Sequence, residues 1–236
     1  ALAEYFGAIE GASLEANKGA YSYAWMIIFA VIAAIMVLIG LYHIRMLPSN
    51  QIPSTTKKTT SEVGRELVAV IANFFTKKHI FYYICFIILY RLAEGFIMKI
   101  APLFLRASRE VGGLGLSLKE IGTLNGVFGS AAFVLGSLLA GIYVSKFGLK
   151  RTLFTLCCIF NLPFLAYTFL AVTQPTNVYL IGTCITMEYF GYGFGFVGLT
   201  LFMMQQIAPG KHQMSHYAFA SGIMNLGVML PGMVSG

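Results

Sequence analysis

The sequence predicts an all-α protein that crosses a membrane several times. Three observations carry that reading. The chain is 58% hydrophobic and only 11% charged, where a soluble domain carries about 25% charged residues. Its mean hydropathy is +0.77. Its apolar residues fall into runs of about 20 or more, each long enough as a helix to cross the roughly 30 Å hydrocarbon core. The 25 glycines agree with this, since glycine is commoner in membrane helices than in soluble ones. The net charge of +7 is not a nucleic-acid signal, because the basic residues gather between the apolar runs, as the positive-inside rule expects. Cys85, Cys157, Cys158 and Cys184 all lie inside apolar runs. Their spacing suggests neither a disulfide framework nor a zinc site. The chain opens without a methionine and stops at Gly236 inside an apolar run, so it reads as a piece of a longer protein.

Residues 1–20 read as an extracytoplasmic loop and the end of a preceding helix, with Glu4, Glu10 and Glu15 against Lys18. A clean span follows over 21–42, with Tyr21, Tyr23 and Trp25 at its start, where aromatic belts lie. His43 and Arg45 close it on the cytoplasmic side. Residues 46–79 form a cytoplasmic linker, rich in Pro, Ser and Thr up to residue 60. Thr59 and Glu62 then make a capping box. Val63, Leu67, Val70, Ile71 and Phe74 recur at helical spacing. That amphipathic helix either lies on the membrane face or packs on the protein.

Residues 80–105 form the span on which the reading turns. It holds Arg91 and Glu94, roughly 16 and 21 Å from its start at about 1.5 Å per residue. Both sit near mid-membrane, where a charge costs on the order of 3 kcal/mol. Three residues apart, they share one helix face. Lys99 lies nearer the outer edge and snorkels. Residues 106–116 read as a Gly-rich outer turn, and Ser117 with Glu120 as a second capping box. The span over 118–144 is rich in small residues that permit close helix approach; Asn125 is its polar exception. A basic turn over 141–151 returns the chain to the cytoplasm. The span over 152–172 holds Asn161 and Pro163 at mid-depth, and Pro163 predicts a kink. The span over 178–207 holds Glu188, about 15 Å from its start, flanked by Tyr189 and Tyr192. A last span begins at 214. The count is five whole spans and most of a sixth.

Arg91, Glu94 and Glu188 are the strongest chemical signal. Ionisable groups inside a membrane mark substrate or proton sites by default. The plain alternative is an internal ion pair that only locks helices together. A desolvated carboxyl takes up a proton readily, while a nearby arginine favours its charged form, so such a group can switch. Asn125, Tyr189 and Tyr192 join the same candidate cavity. Gly191, Gly193, Gly195 and Gly198 echo a dinucleotide fingerprint, but no strand precedes them, which excludes that reading. Close packing or a locally unwound segment remain. His212 and His216 lack a third metal ligand. No nucleophile–base pair or phosphate loop appears, so no enzyme, metal or cofactor is expected; a proton gradient would supply the driving force.

The turn Gly141-x-x-x-Ser145-Lys146-x-Gly148-x-Lys150-Arg151 resembles the GxxxDRxGRR/K loop of the major facilitator superfamily, with Ser145 in place of the acid. The resemblance implies a gating loop made of Gly141, Ser145, Lys146, Gly148, Lys150 and Arg151. It implies the C-terminal half of a major facilitator bundle over 80–236, preceded by the last helix of the N-terminal half over 21–45. Within the superfamily, residues 89–95, 102–105 and 116–122, with Glu188, Gly191 and Gly193, are similar to the muropeptide permease (AmpG-like) and acetyl-CoA transporter branch. Residues 106–115 depart from it as an insertion. That branch implies proton symport of a small polar solute, with anhydromuropeptide as best substrate, across a bacterial inner membrane. It implies the lipid bilayer and the N-terminal half as partners, a monomer, and no nucleic acid. A transporter for another solute (sugar, peptide or drug) stays open, as does a non-transporting membrane protein.

Overall fold

The computed structural model describes residues 2–9, 13, 15–46 and 59–234, which are helical almost throughout and include no strand. The chain divides into two compact units, residues 1–58 and 59–236.

The first unit is dominated by α1, Lys18–Met46, 29 residues long. Asn17, 5% exposed, orders the segment ahead of it. Its carboxamide accepts from the Ile9 amide at 2.9 Å and donates to the Ile9 carbonyl at 2.8 Å. His43 and Arg45 lie in the last turn of α1, where positive charge suits the helix dipole. Most of the Pro/Ser/Thr-rich stretch expected before residue 60 falls on residues 47–58, outside the described residues.

The second unit opens with α2, Thr60–Phe75. The Thr59 amide donates to the Glu62 carboxylate at 2.8 Å, as the capping box predicts. The helix packs on the unit that follows by burying Val70 and Phe74. Val63, Leu67 and Ile71, expected on the same apolar face, stay exposed. Lys77 then ties the segment to the far end of the chain, donating to the carbonyls of Ile207 and Pro209. Burial lowers the pKa of its ammonium.

Four helices build the core of this unit, joined by a fifth that pairs with the first of them. They are α3, Ile80–Arg106; α4, Leu118–Phe147; α5, Leu149–Thr173; α6, Val178–Phe202; and α7, Gln213–Val234. The main pairings are α3 with α7, α4 with α6, and α5 with α6. Small residues set these contacts. A Cβ on Gly193 would meet the backbone of Phe133 in α4, and one on Gly191 would meet the Ile159 carbonyl and Pro163 in α5. Helix α6 is unbroken across these glycines, so they serve close packing here and not a locally unwound segment. Among the described residues, α1, α3, α4, α5 and α7 are long and apolar enough to cross a membrane. Helix α6 is long enough at 25 residues, yet Glu188, three tyrosines and five glycines dilute it. It is the helix that protein surrounds most completely, with eleven buried residues, so it needs little lipid-compatible surface.

Local irregularities sit where the sequence marks them. Pro163 lies in a 3₁₀ turn, Leu162–Phe164, that interrupts α5, since a proline cannot donate to the helical ladder. Gly148, at φ +78°, alone makes the turn from α4 to α5. Wider π-helical turns occupy Leu124–Gly129 within α4 and Met203–Ile207 at the end of α6. The second capping box forms as expected: the Ser117 amide and hydroxyl donate to Glu120 at 2.9 and 2.8 Å. The 106–117 segment is more than a turn. It folds back on α3, with the Leu114 and Leu116 amides donating to the carbonyls of Phe104 and Leu105. That pairing drives both leucines into a small core with Leu105, Leu170, Ile181 and Ile185.

Candidate functional site

Helix α3 presents Arg91 and Glu94 on its inner face, one turn apart. They are 6% and 3% exposed. The Arg91 guanidinium grips the Glu94 carboxylate with both prongs: Nε donates to Oε2 at 2.6 Å and Nη2 donates to Oε1. A fork of this kind satisfies both charges and fixes their geometry. The guanidinium carbon also lies 5.5 Å from the ring centroid of Phe196 on α6, a cation–π placement.

Helix α6 supplies Glu188, 8% exposed, which stands close enough to Glu94 for the two carboxylates to interact. The Tyr167 hydroxyl of α5 faces Glu188. Tyr192, one turn along α6, faces the Arg91–Glu94 pair and stacks among Phe133, Phe160 and Phe196 at centroid distances of 5.1, 5.7 and 5.8 Å. Tyr189, next to Glu188 in the chain, interacts with it and lays its ring over Gly129 of α4. The site is thus two carboxylates and one guanidinium in an aromatic cage. One counter-charge serves two acids, so the cluster favours one more positive charge when both acids ionise. A proton or a cationic group can supply it.

Neighbouring hydrogen bonds hold the cage in place. The Tyr90 hydroxyl donates to the Gly195 carbonyl at 2.8 Å, which ties α3 to α6 beside Arg91. The Asn161 amide donates to the Cys157 carbonyl at 3.0 Å and reaches the Tyr90 carbonyl at 3.5 Å.

The structure therefore brings Arg91, Glu94, Glu188, Tyr189 and Tyr192 together. Asn125 lies in the π-helical segment of α4, and its carbonyl oxygen is buried with no hydrogen-bond partner among the described residues. Lys99 stands apart from the cluster, exposed on α3 against Gly232 of α7. The loop residues Gly141, Ser145, Lys146, Gly148, Lys150 and Arg151 are exposed at one end of the bundle. Ser145 donates to the Ile142 carbonyl of its own helix at 2.8 Å. Gly141 has open space where a Cβ would project, so no close helix contact within this chain requires it. Sequence reasoning missed Tyr167 and Phe196. The one available signal was a polar-tipped aromatic one helical turn beyond Pro163.

The helical fold agrees with what the chain matches. The family model described as Major Facilitator Superfamily matches residues 2–236. The anhydromuropeptide permease of Escherichia coli strain K12 is 23% identical over 184 residues, covering 78% of this chain and 36% of that permease. The same-named protein of Escherichia coli O157:H7 matches with the same figures. The chain thus spans about a third of the length of the curated relatives it matches. The family match runs over nearly the whole chain: this protein belongs to the major facilitator superfamily.

Proposed function

We propose that the chain is part of a secondary active transporter that imports a small polar solute by alternating access, coupled to proton movement. The observation that carries this reading is the Arg91–Glu94 fork buried beside Glu188, on a helix, α3, that is long and apolar enough to cross a membrane. Burying three ionisable groups is expensive, and such groups mark substrate or ion paths. In this reading Glu188 and Glu94 exchange a proton or contact substrate. Arg91 alternates between Glu94 and an anionic group of the solute. Tyr189, Tyr192 and Asn125 line the path, and the unpartnered Asn125 carbonyl is a ready acceptor for a solute hydroxyl or amide. The basic 141–151 turn gates the cytoplasmic end, and residues 46–79 link the two halves of a monomeric bacterial inner-membrane protein.

Anhydromuropeptide is the substrate favoured by the printed name of the relatives. Its carboxylates fit the guanidinium, and its sugar rings suit an aromatic cage. The test is uptake of labelled anhydromuropeptide into proteoliposomes carrying the full-length protein, with unlabelled sugars, peptides and drugs as competitors. Saturable uptake blocked only by muropeptides supports the assignment. Absent uptake with reconstitution verified overturns it, and uptake blocked by another class identifies the solute instead.

A further inference from the structure

A separate apolar layer lies between the charge cluster and one end of the bundle. That end carries the 106–117 segment, between α3 and α4, and the 174–177 turn, between α5 and α6. Leu105, Leu114, Leu116, Leu170, Ile181 and Ile185 pack together there, and none is more than 6% exposed. The layer is in line with the acids. On α6, Ile181 sits roughly 20° around the axis from Glu188 and about 10 Å nearer the end. On α3, Leu105 sits roughly 20° from Glu94 and about 16 Å nearer the end. On α5, Leu170 lies one turn beyond Tyr167, which faces Glu188. Tyr189 touches both regions, packing against the layer and interacting with Glu188.

Helices supply four of these six residues; the 106–117 strap supplies Leu114 and Leu116. We propose that this strap is a gate, and that the Arg109 clasp is its latch. Closed, the two leucines seal Glu94 and Glu188 from this end of the bundle. Open, the strap lifts and water and solute reach the acids. An apolar constriction excludes water and so makes an effective gate. Leucine side chains can leave the layer and return without stranding a polar group in it. The strap is anchored to α3 by the Leu114 and Leu116 amides, which donate to the Phe104 and Leu105 carbonyls at 3.0 and 2.9 Å. Its tie to the 174–177 turn is different in kind. Arg109 donates to the Gln174 and Pro175 carbonyls, and the Gln174 carboxamide donates to the Gly112 carbonyl. All three bonds are exposed, so water replaces them as they break and the latch opens at small cost. The proposal rests on the reading of these acids as the transport site.

The test measures access by a charged methanethiosulfonate reagent in the purified full-length protein, with labelled positions mapped by peptide mass spectrometry. Two reporters are compared. Ile185→Cys stands in the layer, one turn before Glu188, and Ile87→Cys stands in the larger core on α3. Both positions are buried, at 1% and 0% exposure, so both should react slowly behind an intact strap. Arg109→Ala, at an exposed position, should speed labelling of Ile185→Cys about tenfold by removing the charge-assisted bonds of the latch. Labelling of Ile87→Cys should stay slow. Leu114→Ala, with the clasp intact, should also speed labelling at 185. Melting temperatures are read alongside to confirm folding. Labelling at 185 indifferent to both Arg109→Ala and Leu114→Ala would overturn the proposal. So would equal acceleration at 87 and 185, which is general loosening and not a gate. The labelling needs no solute, so failed uptake in the proteoliposome assay counts against the transport reading alone, while labelling decides the gate.

Discussion

Tyr90 on α3 and Gly195 on α6 are joined by a hydrogen bond of 2.8 Å, immediately beside Arg91 in the chain. The bond passes through the packed centre of the unit, where Tyr90 is 2% exposed and its ring contacts Phe160 and Phe86. It fixes the spacing of the two helices that carry the buried charges. Tyr90→Phe keeps the ring and removes only the donor. We expect it to cost about 1 kcal/mol of stability, read as a lower melting temperature in detergent. Transport should fall further than that loss of folded protein explains, because the cage around Arg91 loosens.

The Arg91–Glu94 pair gives an asymmetric expectation. Arg91→Ala leaves Glu94 and Glu188 buried without their cation, which should destabilise the protein by roughly 3–5 kcal/mol. The double variant Arg91→Met/Glu94→Leu removes both charges while keeping volume, and should recover most of that stability. Thermal unfolding of the single and double variants checks this. A transport site predicts that the stable double variant is inactive, whereas a mere helix lock predicts that it still transports.

Close packing along α6 sets a third expectation. Gly193→Ala places a methyl group against the Phe133 backbone, with no flexible side chain able to yield. Overpacking of this sort costs about 1–3 kcal/mol. By contrast, Gly222→Ala on α7 meets open space and should change the melting temperature little or raise it, since alanine is the better helix former.

At the end of the bundle that holds the 106–117 segment, Arg109 donates to the carbonyls of Gln174 and Pro175 at 3.0 and 2.8 Å. The Gln174 amide returns a bond to the Gly112 carbonyl at 2.7 Å. Arg109→Ala should free this clasp. Amide hydrogen exchange across residues 111–116 should quicken while α6 stays protected.

Much of this was legible in the sequence. Long apolar runs announced the spans, and Arg91, Glu94 and Glu188 stood out because charges at that depth need a reason. Both capping boxes and the break at Pro163 were readable because each depends on residues close in the chain. What escaped was long-range or chemically unmarked. Tyr167 and Phe196 look like any aromatic in an apolar run, and only packing reveals that they enclose the charges. The clasp between Arg109 and residues 174–175 joins segments about 65 positions apart, and periodicity carries no trace of it. The helical spacing of Val63, Leu67, Val70, Ile71 and Phe74 gives α2 one apolar face, yet only Val70 and Phe74 of it are buried. Which part of such a face packs depends on the neighbour, here α3 and α7.

In the proposed mechanism the buried acids couple solute movement to protons. The most direct measurement compares two modes in proteoliposomes carrying Glu188→Gln in the full-length protein: uptake driven by an imposed proton gradient, and exchange of labelled for unlabelled solute without one. Proton coupling through Glu188 requires that gradient-driven uptake be lost while exchange persists, because the amide mimics a protonated acid that cannot release its proton. Gradient-driven uptake equal to wild type would contradict it and leave the charge cluster as a structural lock.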